Sequence, residues 1–228
     1  MEYDVIVVGV GGMGSATAAE LASRGARVLG LERAGIPNDR GSSHGVNRII
    51  RLAYAEDPRY VPLLWRAYER WRALEQRLGE TILVVTGGLD IGRPESKDVA
   101  GALASAREHD LSHELLDAGA IMSRFPGLAV PPEFVAVHQS DGGFVLSERA
   151  IAGYACLALD DGAEIHGHEP VIDWEVVGDG VLVRTAAAGY RARRLVVSAG
   201  AWLGKLIPRL AALAVPERQV LLWAGTRR

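Results

Sequence analysis

The chain has 228 residues, of which 49% are hydrophobic, so it can bury the core of one large domain or of two small ones. Its formal net charge of −3 gives no electrostatic reason to expect nucleic acid or an anionic membrane as a partner. A single cysteine, Cys156, excludes an internal disulfide, and no signal peptide or membrane-spanning run is evident, so we expect a cytoplasmic protein.

The first elements of the chain predict a strand, a glycine turn and a helix. Residues 4–8 form a short apolar run that is typical of a parallel strand buried on both faces. A G-x-G-x-x-G pattern follows, and then a run of helix formers that ends at Gly25. A second apolar run, Val28–Leu31, ends in Glu32, which lies 18 residues after Gly14. This order is typical of a dinucleotide-binding unit.

Each residue of this unit has a physical role at such a site. Gly9 permits the tight turn, Gly11 lets a pyrophosphate approach the backbone, and Gly14 lets the helix pack closely on the strand. The phosphates then lie at the positive end of the helix. Glu32 accepts hydrogen bonds from ribose hydroxyls, which favours FAD or NAD over NADP. The pattern alone leaves the choice between FAD and NAD open.

The middle of the chain predicts alternating helices and strands. The predicted elements are a helix over 58–78, two strands within 82–91, helices over 96–109 and 112–125, a strand over 134–138, and a helix over 146–160. The aromatic residues of the first helix and Cys156 of the last are expected in the core. Residues 195–197 predict another buried strand, and the small-residue turn at 198–201 suits close approach to a cofactor.

The histidines do not predict a metal site. His109 and His113 are four residues apart, but the residues between them are typical of a helix break, and no third ligand is evident. His166 and His168 are expected in a turn. We therefore expect no bound metal.

The segment GSSHGVNRIIR, residues 41–51, concentrates polar groups just after the dinucleotide unit. Arg48 and Arg51 are three residues apart, so a helix would place both guanidinium groups on one face, whereas a strand would not. From the residues alone, the segment is either a solvated turn or a site for an anionic substrate and a redox ring.

Five blocks of the sequence carry a family resemblance. They are DVIVVGVGGMGS, GSSHGVNRIIR with the trailing YVPLLWRAYERW, VVTGGLDIG, RFPGL with the later DGGFV, and VVSAGAW, spread from Tyr3 to about Trp223. In order and spacing they resemble the N-terminal part of the flavin-dependent amine oxidases of the monomeric sarcosine oxidase and N-methyl-tryptophan oxidase group, within the D-amino-acid oxidase (DAO) superfamily. The GSSHG…RIIR block is the most specific of them, and it favours FAD over NAD.

The resemblance implies an α/β fold with a Rossmann-like FAD-binding domain of the GR2/DAO type and a partial α+β substrate domain. We assign residues 1–80 and 143–228 to the FAD-binding domain and residues 81–142 to the substrate domain. In the family, a C-terminal continuation completes both domains and supplies the cysteine that holds the flavin covalently. This chain has no counterpart, so we expect a truncated chain, non-covalent FAD, and self-association through an exposed sheet edge.

The resemblance also implies roles for individual residues. Arg51 would pair with a substrate carboxylate. Arg48 would lie against the flavin ring, where a positive charge stabilises the reduced form, and His44 would lie along the ring. These three are the predicted catalytic residues. The predicted cofactor-binding residues are Gly9, Gly11, Gly12, Met13, Gly14, Glu32, Arg33, Ser42, Ser43, His44, Arg48, Val171, Ala199, Gly200 and Trp202.

The implied reaction is the oxidation of a secondary or N-methylated amino acid to an imine, with oxygen giving hydrogen peroxide. The implied partners are therefore a small amine or amino acid and oxygen. Two other hypotheses stay open at this point. The first is an FAD-binding remnant without turnover, or a subunit completed by another chain. The second is an NAD-dependent dehydrogenase, which the GSSHG…RIIR block argues against.

Overall fold

A computed structural model describes residues 2–218 and 220. In chain order, the strands are β1 (Tyr3–Val8), β2 (Val28–Leu31), β3 (Arg48–Ile50), β4 (Leu83–Val85), β5 (Gly88–Gly92), β6 (Glu114–Asp117), β7 (Val135–Gln139), β8 (Gly143–Val145), β9 (Glu164–His166), β10 (Val171–Val177), β11 (Gly180–Thr185) and β12 (Gly189–Val197). The α-helices are α1 (Gly12–Ser23), α2 (Val61–Leu78), α3 (Lys97–Glu108), α4 (Ala118–Arg124), α5 (Ser147–Asp160) and α6 (Leu203–Leu206). The predicted end of the family resemblance, near Trp223, lies outside the described residues.

The chain divides into two compact units. Unit 1 comprises Met1–Ser42 and Tyr154–Arg228, and unit 2 comprises Ser43–Gly153. The sequence prediction placed the domain boundaries at 80/81 and 142/143 instead. Residues 43–80 belong to unit 2 because β3 pairs with β8, which pairs in turn with β4. Which unit binds which ligand stays a prediction.

Unit 1 is built on a six-stranded sheet in the order β10-β11-β12-β1-β2-β9. Strands β12, β1, β2 and β9 are parallel, whereas β10, β11 and β12 form an antiparallel meander. The carboxyl ends of the parallel strands therefore meet at one edge, which is where open α/β sheets bind their ligands. The predicted α/β class with a parallel sheet is confirmed.

Strand β1 packs apolar side chains on both faces, as its continuous apolar run predicted. Val5 and Val7 pack against alanines of α1, and the small size of those alanines lets the helix lie close to the sheet. Ile6 and Val8 point to the opposite face, where they pack with residues of β2, β11 and β12. Burial of a Val or Ile side chain stabilises a fold by about 1.5–3 kcal/mol. Residues 5–8 of β1 are all buried, so this strand contributes a large part of the core of unit 1.

Unit 2 contains two three-stranded antiparallel sheets, with the orders β3-β8-β4 and β5-β7-β6. Helix α3 covers the second sheet through Val99, Ala102 and Ala106, which are fully buried with Val137 of β7. These residues are three and four positions apart, so they lie on one face of the helix.

Three secondary-structure predictions were wrong. Residues 112–125 do not form one helix, because β6 pairs with β7 and α4 begins only at Ala118. The side chain of Asp117 caps α4 by accepting a hydrogen bond from Ala120 N at 2.8 Å. His166 lies in strand β9 rather than in a turn. The meander strands β10 and β11 were missed because charged residues interrupt their apolar residues, Asp173 and Glu175 in β10 and Arg184 in β11.

Two burial predictions were also wrong. Cys156 is exposed, because its neighbours Ala155, Leu157 and Ala158 take the buried positions of α5. Trp65 of α2 is 42% exposed, and Leu74 and Val61 are the buried residues of that helix. Among the described residues, no helix is long and apolar enough to cross a membrane, and no group of three or more His, Cys, Asp or Glu residues is placed to hold a metal ion.

Candidate functional site

The turn between β1 and α1 requires glycine at two positions. Gly9 has a φ of +90°, and a Cβ added there would lie 2.5 Å from the carbonyl oxygen of Ser198. A Cβ on Gly14 would lie 1.8 Å from the carbonyl oxygen of Gly9. Both distances are far below van der Waals contact, so the first and last glycines of the pattern have the roles that were predicted: a tight turn and close helix packing.

Gly11 differs from these two glycines, because a Cβ there would meet no atom within 4 Å. It is the N-cap residue of α1, and no side chain caps the helix. The N–H groups of the first helical turn, which include those of Gly12 and Met13, have no partner within the helix, and such a terminus stabilises an anion. The space beside the Gly11 backbone, which a side chain would fill, is therefore open to the pyrophosphate of a dinucleotide.

Ser198 joins the end of β12 to the glycine turn. Its hydroxyl donates to the carbonyl oxygen of Gly9 at 2.7 Å, and its backbone N–H donates to Val8 O at 2.8 Å. The predicted residues Ala199 and Gly200 follow directly, and Gly200 adopts a left-handed φ of +52°. The structure thus brings the second predicted turn to the first, at the carboxyl ends of adjacent parallel strands.

Glu32 lies at the end of β2, and its side chain is buried. Its Oε2 accepts a hydrogen bond from Val10 N at 2.9 Å, and its Oε1 accepts one from Ala34 N at 3.0 Å. A carboxylate has about four acceptor sites, so capacity for ribose hydroxyls remains. Sequence reasoning predicted the ribose contact but missed that Glu32 also holds the glycine turn in place.

Arg33 and Trp202 are also brought together in unit 1. The guanidinium carbon of Arg33 lies 4.4 Å from the ring centroid of Trp202, within the range of a cation–π interaction. The loop that precedes Val171 reaches the same region, because Glu169 N donates to Glu32 O at 2.8 Å. Val171 itself begins the edge strand β10, and its contact with a cofactor stays a prediction.

A polar network that the sequence did not predict lies beside this site. His166 Nε2 is 2.7 Å from Glu164 Oε1, and its Nδ1 is 2.8 Å from Glu169 Oε2. Tyr3 donates to Glu164 at 2.6 Å, and Tyr190 donates to Glu169 at 2.7 Å. Burial opposes the charge of the imidazole, but its hydrogen bonds to the two carboxylates outweigh burial and raise the pKa of His166 above its ordinary value.

We expect the stabilising effect of His166 to depend on pH. A raised pKa in the folded state gives a contribution that is fully present below the unfolded pKa of about 6.5 and is lost as the pH rises through the folded pKa. The melting temperature of the wild type should exceed that of His166→Gln most at pH 6, and this difference should shrink towards pH 9. Thermal melts across this range test it. A difference in melting temperature that stays constant from pH 6 to pH 9 would contradict this prediction.

The segment 41–51 spans the division between the units, since Ser42 ends one part of unit 1 and Ser43 begins unit 2. Arg48 lies in β3, so the segment ends in a strand rather than a helix. The side chain of Arg48 donates a hydrogen bond from Nη1 to the carbonyl oxygen of Asn47 at 2.7 Å. The N-terminus of α5 holds the preceding loop, because Glu148 accepts from Gly45 N at 2.6 Å. The predicted positions of Ser42, Ser43, His44 and Arg48 along a flavin stay predictions.

Arg51 carries a largely buried guanidinium group with a carboxylate neighbour. Its side chain is 24% exposed, and its Nε is buried without a hydrogen-bond partner in the part of the chain that the structure describes. Asp90 Oδ1 lies 3.5 Å from this Nε, and the ring of Tyr54 lies 5.2 Å from the guanidinium carbon. Sequence reasoning did not identify Asp90. Burial raises the pKa of its carboxyl group above the ordinary value, against the opposing effect of Arg51.

Comparison with known proteins extends over nearly the whole chain. The DAO family model, described as FAD dependent oxidoreductase, matches residues 4–225. The monomeric sarcosine oxidase of Streptomyces avermitilis is 48% identical over 225 residues, which cover 99% of this chain and 59% of that protein. The N-methyl-L-tryptophan oxidase of Citrobacter koseri is 37% identical over 223 residues, with coverage of 98% and 59%.

Two solved structures have a similar fold. The open form of NikD, an unusual amino acid oxidase essential for nikkomycin biosynthesis, has a TM-score of 0.82 at 32% identity, over 92% of this chain and 54% of that one. The glycine oxidase from Geobacillus kaustophilus has a TM-score of 0.78 at 25% identity, over 92% and 58%. The chain thus spans little more than half the length of the relatives that it matches.

Proposed function

Because the chain belongs to the DAO family of FAD dependent oxidoreductases, we propose that it binds FAD and oxidises a secondary or N-methylated amino acid to an imine. The family resemblance and the Rossmann-like fold of the DAO type, both predicted from the sequence, are confirmed. The relatives are named as oxidases of sarcosine, N-methyl-L-tryptophan and other amino acids. They are longer proteins, so activity and substrate are proposals for this chain.

The observation that carries the proposal is the open backbone at Gly11. The N-terminus of α1, which no side chain caps, begins directly after it, and Glu32 is bonded to the preceding Val10 N. FAD would place its pyrophosphate against the helix terminus and its adenosine ribose near the carboxylate. Arg33 and Trp202 would hold the adenosine end through their mutual stacking.

The substrate half of the proposal rests on Arg51. A guanidinium binds a carboxylate through two parallel hydrogen bonds, so Arg51 would fix the orientation of an amino acid. FAD, when bound, supplies the acceptor for the two electrons that leave the carbon beside the amine nitrogen. The chain's own residues would orient the substrate through Arg51, and Arg48 and His44 would line the reacting face. Water then hydrolyses the imine, and oxygen is the final acceptor and gives hydrogen peroxide.

Absorbance spectroscopy tests both halves. Protein purified with FAD should be yellow, and acid precipitation should release the colour, because we propose non-covalent binding. Anaerobic addition of N-methylglycine or N-methyl-tryptophan should bleach the flavin band, and air should restore it with formation of hydrogen peroxide. Arg51→Met should stay yellow and lose the bleaching by the amino acids.

Each alternative gives a different outcome in the same experiment. Yellow protein that no amine bleaches would favour an FAD-binding remnant or a subunit completed by another chain. Colourless protein that binds NAD would favour a nicotinamide-dependent dehydrogenase and would contradict the proposal.

A further inference from the structure

Asp90 is held rigidly beside Arg51 by a chain of hydrogen bonds within unit 2. Gln139 is 2% exposed, and its Oε1 accepts a hydrogen bond from Ala53 N at 2.7 Å. Its amide nitrogen donates to Asp90 Oδ2 at 3.2 Å. The other carboxylate oxygen, Oδ1, faces Arg51 Nε at 3.5 Å. The side chain of Asp90 is only 14% exposed, so water screens its charge weakly.

The charges around Arg51 do not favour a strongly anionic ligand. Asp90 is near Arg51, and the carboxylates of Asp98 and Glu56 are close enough to repel the charge of Asp90. The guanidinium of Arg51 is therefore paired with a carboxylate that has two further carboxylates in its surroundings. A ligand with one negative charge gains the pairing with Arg51 against modest repulsion, whereas each further negative charge adds repulsion from a fixed, largely buried anion.

We propose that Asp90 is a specificity-determining residue of this site: its carboxylate offsets the charge of Arg51, so that the site accepts monocarboxylates and discriminates against dicarboxylates. This inference rests on the proposed role of Arg51 as the substrate-carboxylate contact, and it narrows the substrate class to amino acids with a neutral side chain. Because the Asp90 carboxylate faces Nε, the remaining edge of the guanidinium is the one left for the ligand.

Binding of acetate, malonate and acetamide tests the inference without turnover. NMR titrations, in which each ligand is added to protein supplied with FAD at low ionic strength and the chemical-shift changes are followed, give the dissociation constants. Asp90→Asn removes one charge and keeps the side-chain shape. It should tighten acetate about fivefold and malonate by more than that, up to about 25-fold, because repulsion is removed from both charges of malonate and is weaker for the more distant one. Acetamide, which has the shape of acetate without its charge, should be unaffected.

Three controls separate this effect from other causes. Glu133→Gln removes an exposed carboxylate of the same unit, paired with Arg93, and should change no affinity. Arg51→Met alone should abolish acetate binding, because the repulsion from Asp90 then acts with no guanidinium to pair with the ligand. Asp90→Ser, which also removes the carboxylate, should tighten acetate and malonate in the same way. It provides a second test if Asp90→Asn folds poorly.

Equal affinities for wild type and both Asp90 variants, or no acetate binding by the wild type, would overturn the inference. The absorbance of bound FAD, recorded on the same samples, distinguishes this failure from failure of the proposed function. If the protein is yellow but the Asp90 variants bind acetate and malonate as the wild type does, only the role of Asp90 is contradicted. If the protein is colourless but the Asp90 variants bind acetate and malonate more tightly as expected, the proposed function is contradicted and the role of Asp90 in anion selectivity is supported.

Discussion

Gly11→Ala should lose most of the affinity for FAD while costing the protein without cofactor no more than about 1 kcal/mol of stability, the penalty of alanine at a helix N-cap. The new methyl group meets no protein atom within 4 Å, so the fold has no reason to shift. The same methyl group would occupy the space through which the pyrophosphate approaches the backbone. Overpacking at a close contact costs about 1–3 kcal/mol, which corresponds to a roughly fivefold to 150-fold weaker complex. Fluorescence titration with FAD measures the affinity.

The matched control is Gly127→Ala in unit 2. A Cβ at Gly127 also meets nothing within 4 Å, and the backbone there has no left-handed φ, but the position is outside the glycine turn. This variant should keep both the wild-type melting temperature and the wild-type affinity. Full FAD affinity in Gly11→Ala would mean that the pyrophosphate does not lie at this turn, and the site assignment in unit 1 would fail with it.

The glycine turn was predictable because its constraints are local. The left-handed φ of Gly9 and the contact of Gly14 with the carbonyl oxygen of Gly9 both arise within a few residues, and neither position accepts a side chain. The buried strands β1 and β2 were predictable for a similar reason, since continuous apolar runs leave few alternatives.

The contacts that the sequence did not reveal join residues that are far apart in the chain. Tyr3 meets Glu164 across 161 positions, and Ser198 meets Gly9 across 189. No local pattern reports such pairs, because they depend on which strands become neighbours in the sheet. The prediction for the segment that contains β6 was wrong for the same reason. The sequence of 112–125 is compatible with a helix, but pairing with β7 overrides that preference.

Asp90 shows the same limit at the candidate site. Its position in an apolar-flanked strand gave no sign of a role, since single acidic residues are common on strands with one exposed face. Pairing of β5 with β7 places Gln139 within reach of Asp90, and the turn after β3 brings Arg51 to the other side. Arg51 was predicted through family resemblance, whereas its carboxylate neighbour became visible only in three dimensions.

Glu32→Gln should destabilise the protein and weaken FAD binding together. Both groups that Glu32 accepts from, Val10 N and Ala34 N, are donors in a buried setting. A glutamine offers one acceptor oxygen and one NH₂ group, so one backbone N–H would face another donor. A buried donor left unsatisfied costs about 1–3 kcal/mol, which lowers the melting temperature by several degrees. The glycine turn would loosen, and we expect FAD affinity to fall at least about tenfold.

Glu20→Gln is the matched control, because it makes the same chemical change on the surface of α1. Glu20 forms an exposed ion pair with Arg24 one turn along the helix, and such pairs contribute little to stability. Thermal melts and FAD titrations of this variant should therefore match the wild type. If Glu32→Gln also matched the wild type in both measurements, the buried carboxylate would be neither the support of the glycine turn nor a ribose ligand. If it lost stability alone, with FAD affinity intact, only the structural role would remain.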